Sequence, residues 1–129
     1  VPANQRIGLA QDELRARGWA LAASEVNDAM HDPAIALVDL RDEGERRRYG
    51  EIPGSLHVPY TSLEENVSPG GLLKTLCDAT GKRVVFYCAH GERSAMAVEL
   101  AQAAGLSHAC HLEGGISAWN DIRGLAPEG

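Results

Sequence analysis

The strongest chemical signal in the chain is a cysteine at the head of a short glycine-containing loop, in the stretch VVFYCAHGERSAM, with Cys88, Gly91, Arg93 and Ser94 close together. The preceding run, Arg83 to Cys88, reads as a buried strand, and a helical pattern begins at about Ser94. Cys88 therefore falls beyond the carboxyl end of a strand, where open α/β sheets bind their ligands. Backbone N–H groups of Ala89 to Ser94, curled around the sulfur at a helix N-terminus, would form an anion-binding nest. Such a setting favours the thiolate at neutral pH and would hold a negatively charged adduct on the sulfur. Gly91 can supply the backbone conformation a tight loop needs, and Arg93 either braces the loop or contacts an oxyanion through a forked hydrogen bond. On residues alone, the alternative is an inert cysteine at a strand end, with Gly91 and Arg93 in an ordinary turn.

These residues need a scaffold, and the rest of the chain reads as one. The segment Ile35 to Leu40, IALVDL, has the branched apolar composition of a buried parallel strand, and shorter strands are expected at Trp19 to Ala22, Ser55 to Val58 and His108 to Leu112. Helical patterns lie between them: Ser24 to Met30 with Ser24 as N-cap, Asp42 to Tyr49, Leu72 to Ala79, Ser94 to Ala104 closed by Gly105, and Gly115 to Ile122. Alternating strands and helices imply a single α/β domain, a mainly parallel central sheet with helices on both faces. Its expected bounds are 18–124, after an N-terminal appendage over 1–17 whose helical turn or two could pack against the domain, and before a tail over 125–129.

A chain of 129 residues is the size of one ordinary domain and buries roughly two-thirds of its unfolded surface without disulfides or metals. Its 12 basic and 18 acidic side chains leave a net charge of −6, which argues against nonspecific attraction to nucleic acid or an anionic membrane. Three cysteines, at 77, 88 and 110, make no CxxC pair and no closed disulfide set, so a reducing, cytoplasmic setting is expected. No apolar run approaches the ~20 residues that span a bilayer. The chain begins at Val1 rather than Met, which leaves a longer parent open.

Four segments in register resemble the rhodanese-like family. CAHGERS is similar to its active-site loop C-x-x-G-x-R-S; LVDLRD, Leu37 to Asp42, to its strand ending in D-x-R; GEIPGSLHVPY, Gly50 to Tyr60, to G-H-I-P-G-A-x-x-x-P; and LEGGISAW, Leu112 to Trp119, to L-x-G-G-x-x-x-W. The resemblance covers about Trp19 to Ile122. It implies a sulfurtransferase of the thiosulfate:cyanide type: Cys88 as the catalytic residue attacks the outer sulfur of a donor such as thiosulfate, becomes a persulfide, and yields that sulfur to cyanide or a thiol. Ala89, His90, Gly91, Glu92, Arg93 and Ser94 would then surround the substrate, and no metal or organic cofactor is required. The implied partners are a small-molecule donor, a thiol or cyanide acceptor and a sulfur-carrier protein, with neither nucleic acid nor membrane.

The pattern also departs from the family. Ala89 stands where many thiosulfate-using members carry Arg, which removes a charge that could bind the donor. Glu51 replaces the usual His before Ile-Pro-Gly, and the stretch from Asp39 to Gly50 is one residue longer than common. Related phosphatases and arsenate reductases use H-C-x5-R, a longer loop; here Tyr87 precedes the cysteine and four residues separate Cys88 from Arg93. Those activities and a non-catalytic binding or regulatory module are the alternatives.

Other residues divide between chemistry and structure. Arg41 ends its strand on the same edge as Cys88 and could bind a donor anion, or pair with Asp39 to fix the site. His90 could touch substrate or point to water. His108, Cys110 and His111 invite a metal reading, but His111 must face the opposite side of a strand from the other two, and no metal site is expected. Cys77 and Cys110 read as structural cysteines. The three arginines of ERRRY, Glu45 to Tyr49, fan over different helix faces as a solvated surface would, and Trp19 and Trp119 read as core.

Overall fold

The structure, a computed structural model, describes residues 10–124. Five strands form one sheet: β1 (Ala20–Leu21), β2 (Ile35–Asp39), β3 (Leu56–His57), β4 (Arg83–Tyr87) and β5 (Cys110–Leu112), in the order β1-β5-β4-β2-β3. Every pairing is parallel. The helices are α1 (Gln11–Ala16), α2 (Ala23–Ala29), α3 (Glu43–Tyr49), α4 (Leu63–Val67), α5 (Leu72–Thr80), α6 (Glu92–Ala103) and α7 (Gly115–Ile122).

Apart from Asp39 and Arg83 at their ends, the central strands β2 and β4 carry no charge, because both faces of the sheet are covered. Alternation along β4 and its continuation sends Val84, Phe86 and Cys88 into one core cluster, with Leu63, Val67, Leu73, Ala97, Val98 and Ala101 of α4, α5 and α6. It sends Val85 and Tyr87 into the other, with Ala23, Val26, Ile116 and Trp119 of α2 and α7. Asp39 pairs with Tyr87 in register, and the Leu40 N–H donates to the Tyr87 carbonyl at 2.9 Å. The corner after β2 and the corner after β4 are therefore neighbours at one edge of the sheet.

Several local expectations need correction. Ser24 is not an N-cap: α2 starts one residue before it, after Ala22, whose N–H is taken by the Glu25 carboxylate at 2.9 Å. The helix after Cys88 starts at Glu92, not Ser94, because Gly91 with φ of 108° already turns the chain into it. The short helix α4 was not anticipated; its buried Leu63 and Val67, one helical turn apart, close the core beside α6. Of the expected appendage, residues 1–9 lie outside the described residues. The remainder forms α1, which packs tightly: Leu14 is fully buried, and Arg15 forks onto Glu113 at 2.6 and 2.8 Å. The tail over 125–129 also lies outside the described residues.

Candidate active site

Cys88 leaves the end of β4 pointing to the α6 side of the sheet, and its environment is made by the turn that follows. The Sγ atom accepts the N–H of Gly91 at 3.1 Å and the N–H of Ser94 at 3.4 Å, while the Ser94 hydroxyl lies 3.6 Å away. Gly91 achieves this only in a left-handed conformation, which aims its N–H back at the sulfur. The 12-residue helix α6 begins immediately after it, so its positive end also faces the sulfur. Two N–H groups and the positive end of a helix thus converge on this atom.

The loop leans on a second turn. Gly114 and Gly115 start α7, and an added Cβ on Gly115 would lie 2.4 Å from the Ala89 carbonyl oxygen. In return, the N–H groups of Ile116 and Ser117 donate to the carbonyls of Cys88 and Ala89 at 2.9 and 3.2 Å. With those carbonyls turned towards α7, the loop presents N–H groups to the sulfur.

Of the other loop side chains, Ala89 is buried, and His90 and Glu92 are exposed on the outer surface. Arg93 is clasped by Glu45 of α3 through two bonds of 2.9 Å. That pair holds the Glu45 carboxyl down at about 2. Glu45 also accepts the Asp42 N–H at 3.0 Å, while the Asp42 carboxylate accepts the Glu45 N–H at 2.8 Å. The start of α3 is thereby capped reciprocally, and the same carboxylate tethers it to the Cys88 loop.

Of the two roles open to Arg41, the structure shows the pairing with Asp39, and the side chain does not face solvent as a donor ligand would. It is fully buried, and its guanidinium grips Asp39 through Nε at 3.1 Å and Nη2 at 2.9 Å and donates to the Gly50 carbonyl at 2.6 Å. The Tyr87 hydroxyl donates to Asp39 at 3.0 Å and accepts the Ile52 N–H at 3.1 Å; burial pushes its pKa up to about 12. Arg46 of α3 adds its Nε, 3.3 Å from Asp39, and pairs with Glu51. Of the arginine run, Arg46 thus turns inward, while Arg47 and Arg48 are exposed.

Burial alone does not make a cysteine site. Cys110 on the neighbouring strand is as buried as Cys88, 0% against 1% exposed, but it faces the α2–α7 cluster, and burial pushes its thiol up to about 11. The half-buried Cys77 thiol is likewise raised by burial. Two residues escaped the sequence reading. Glu45 could be read as a helix cap from its spacing to Asp42, but its reach to Arg93 spans 48 positions. His111, fully buried, bonds Ser94 Oγ through Nδ1 at 2.8 Å, and burial lowers its pKa to about 4.

Comparison with known proteins agrees with this geometry. Residues 22–122 match the rhodanese-like domain family model. Among curated relatives, mouse thiosulfate sulfurtransferase/rhodanese-like domain-containing protein 3 is 30% identical over 74% of this chain and 64% of its own length. The yeast (Saccharomyces cerevisiae) thiosulfate:glutathione sulfurtransferase is 32% identical over 69% of this chain and 67% of its own. Probable adenylyltransferase/sulfurtransferase MoeZ of Mycobacterium tuberculosis is 34% identical over 92% of this chain, but that match spans only 29% of MoeZ. Among solved structures, a Rhodopseudomonas palustris protein of unknown function, described as a possible tyrosine phosphatase, superposes with a TM-score of 0.74 at 35% identity, covering 91% of this chain and 89% of its own. A human single-domain sulfurtransferase gives 0.64 at 25% identity, covering 80% and 96%. With a five-stranded parallel sheet, a cysteine ring at the end of β4 and a family match over 101 residues, the chain belongs to the rhodanese-like domain family.

Proposed function

We propose that the chain is a sulfurtransferase that carries sulfane sulfur on Cys88. The thiolate attacks the outer sulfur of a donor such as thiosulfate, a new S–S bond forms at Cys88, the donor's S–S bond breaks, and its electron pair leaves with sulfite. Cyanide or a thiol then attacks the terminal sulfur of the persulfide and restores the thiolate, a ping-pong sequence in two half-reactions. The observation that carries this reading is the pair of N–H groups, from Gly91 and Ser94, converging on Sγ at the positive end of α6. They stabilise a negative sulfur before and after transfer.

The names of the mouse and yeast relatives support thiosulfate as a donor and glutathione as a model acceptor, and that of MoeZ supports sulfur transfer. The loop itself argues for a preference among donors. Ala89 brings no charge, and the arginines at 41 and 93 are engaged by Asp39 and Glu45. Uncharged or singly charged persulfides should therefore outperform thiosulfate. A phosphatase reading has the description of the R. palustris structure behind it, but the four-residue spacing and the Glu45 clasp on Arg93 fit a phosphoester poorly.

Intact-mass spectrometry under nonreducing conditions tests the reading. Wild-type protein mixed with thiosulfate or glutathione persulfide should gain one sulfur that cyanide removes, and Cys88→Ser should gain none. No adduct from any sulfane donor would leave a binding module. Hydrolysis of p-nitrophenyl phosphate by the wild type and not by Cys88→Ser would establish the phosphatase instead.

A further inference from the structure

The buried histidine on β5 has no part in the loop motif, yet its ring is two hydrogen bonds from the reacting sulfur. His111 pairs in register with Phe86, so its side chain falls on the Cys88 side of the sheet, opposite Cys110. Its Nδ1 lies 2.8 Å from Ser94 Oγ, which in turn lies 3.6 Å from Cys88 Sγ and 3.2 Å from the Gly91 carbonyl oxygen. Ser94 and His111 are both fully buried, and among the described residues His111 Nε2 has no hydrogen-bonding partner.

Counting protons decides what this arrangement does. A serine hydroxyl has one hydrogen to give, and a neutral imidazole carries one N–H. Burial keeps the ring neutral at physiological pH. Were that N–H on Nε2, a buried donor would be orphaned, and Nδ1 would take the only hydroxyl proton away from the sulfur. With the proton on Nδ1, the empty position is a lone pair, which proteins tolerate better than a buried orphan N–H. The Nδ1–H then donates to Ser94 Oγ and leaves the hydroxyl proton free. While Cys88 is a thiol, S–H donates to Oγ and the hydroxyl turns to the Gly91 carbonyl; once the sulfur is anionic, the hydroxyl swings to it, because a charged acceptor makes the stronger bond.

We propose that His111 is a positioning residue for Cys88: by donating Nδ1–H to Ser94 Oγ, it directs the Ser94 hydroxyl proton to the anionic sulfur, as a third donor beside the N–H groups of Gly91 and Ser94. The assignment rests on Cys88 being the sulfur-carrying residue, but its test does not depend on sulfur transfer. Nitrogen-15 chemical shifts of the wild-type histidines should show His111 protonated on Nδ1; protonation on Nε2 overturns the proposal without any variant. In parallel, the rate of Cys88 carbamidomethylation by iodoacetamide, measured on the rising limb of its pH profile and followed by peptide mass spectrometry, reads the population of the anion.

His111→Leu and Ser94→Ala should each slow that rate about tenfold, the value of one hydrogen bond to a charged group. The double variant should be no slower than Ser94→Ala, since both act through one hydroxyl. His111→Asn, whose amide can still donate to Oγ, should stay within about threefold of wild type. A His111→Leu rate within about twofold of wild type, or a double variant slowed about a hundredfold, overturns the proposal. Circular dichroism confirms that each variant is folded; if His111→Leu is not, the nitrogen shifts and His111→Asn decide the question. If instead wild-type Cys88 alkylates as expected but accepts no sulfur from any donor, the sulfurtransferase reading fails while the role of His111 stands.

Discussion

The corners after β2 and β4 lie side by side and look alike in sequence, each a strand that runs into a charged turn, yet they do opposite things with polar groups. The β2 corner spends its charges on itself: Asp39 is held by Arg41, Arg46 and Tyr87, all within a nearly solvent-free network. The β4 corner leaves its principal atom open, with backbone donors aimed at a sulfur that has no counter-charge of its own. A closed set of charges stabilises structure; an unfinished set of donors invites a ligand or a charge. Arg41 has the residue type expected of a donor site and belongs to the first kind.

That contrast can be broken by experiment. The largest effect is expected at the closed corner: Asp39→Ala strands the buried Arg41 guanidinium and should cost about 3–5 kcal/mol in urea unfolding, whereas Cys88→Ser should cost less than about 1 kcal/mol and abolish sulfur uptake. If Cys88→Ser proved the more destabilising of the two, the division of labour would fall. Acid titration sharpens the comparison. His111 has a folded pKa of about 4, below its ordinary 6.5, so the unfolded chain binds the proton first. Stability should be fully present above pH 6.5 and fall as pH drops towards 4, by as much as about 3 kcal/mol, and His111→Leu should flatten this slope. The Glu45 contribution lies lower, lost between its ordinary 4.5 and about 2.

Smaller effects probe the supports of the open corner. Gly115→Ala forces a Cβ against the Ala89 carbonyl at a φ of 66°; a loss of about 2 kcal/mol is expected, with sulfur uptake slowed about tenfold or more in mass-spectrometric time courses. Retention of wild-type uptake would show that the loop does not need the α7 wall. Glu45→Gln, which loosens the tether between the two corners, should cost about 1 kcal/mol in thermal unfolding and slow uptake only a few-fold. An effect as large as that of Gly115→Ala would make Arg93 more than a brace.

The parts legible in the sequence were those governed by local pattern. The apolar runs ending at Asp39 and Tyr87 announced β2 and β4, and the cysteine-to-arginine spacing announced the ring. The edge strands are shorter than their composition suggested, β1 only Ala20–Leu21 and β3 only Leu56–His57, because pairing and not propensity ends them. Residues acting at long range were hidden. Glu45 looks like a cap and is also a tether, and His111 reads as a stray histidine until the register with Phe86 puts it on the Cys88 face. Alternation excluded a shared face with Cys110, but only the packed structure could show that the other face leads to Ser94.

The contact between Gly115 and the Ala89 carbonyl has a consequence for anyone wishing to transplant this chemistry. The six-residue ring is not a portable cassette. Moved alone to another strand–helix junction, it would arrive without the wall that turns the Cys88 and Ala89 carbonyls outward, and those oxygens would be free to crowd the sulfur they now avoid. The smallest graft that keeps the donor geometry is two turns about twenty residues apart in sequence, CAHGERS and the start of α7 from Gly114 to Ser117, carried on two adjacent parallel strands.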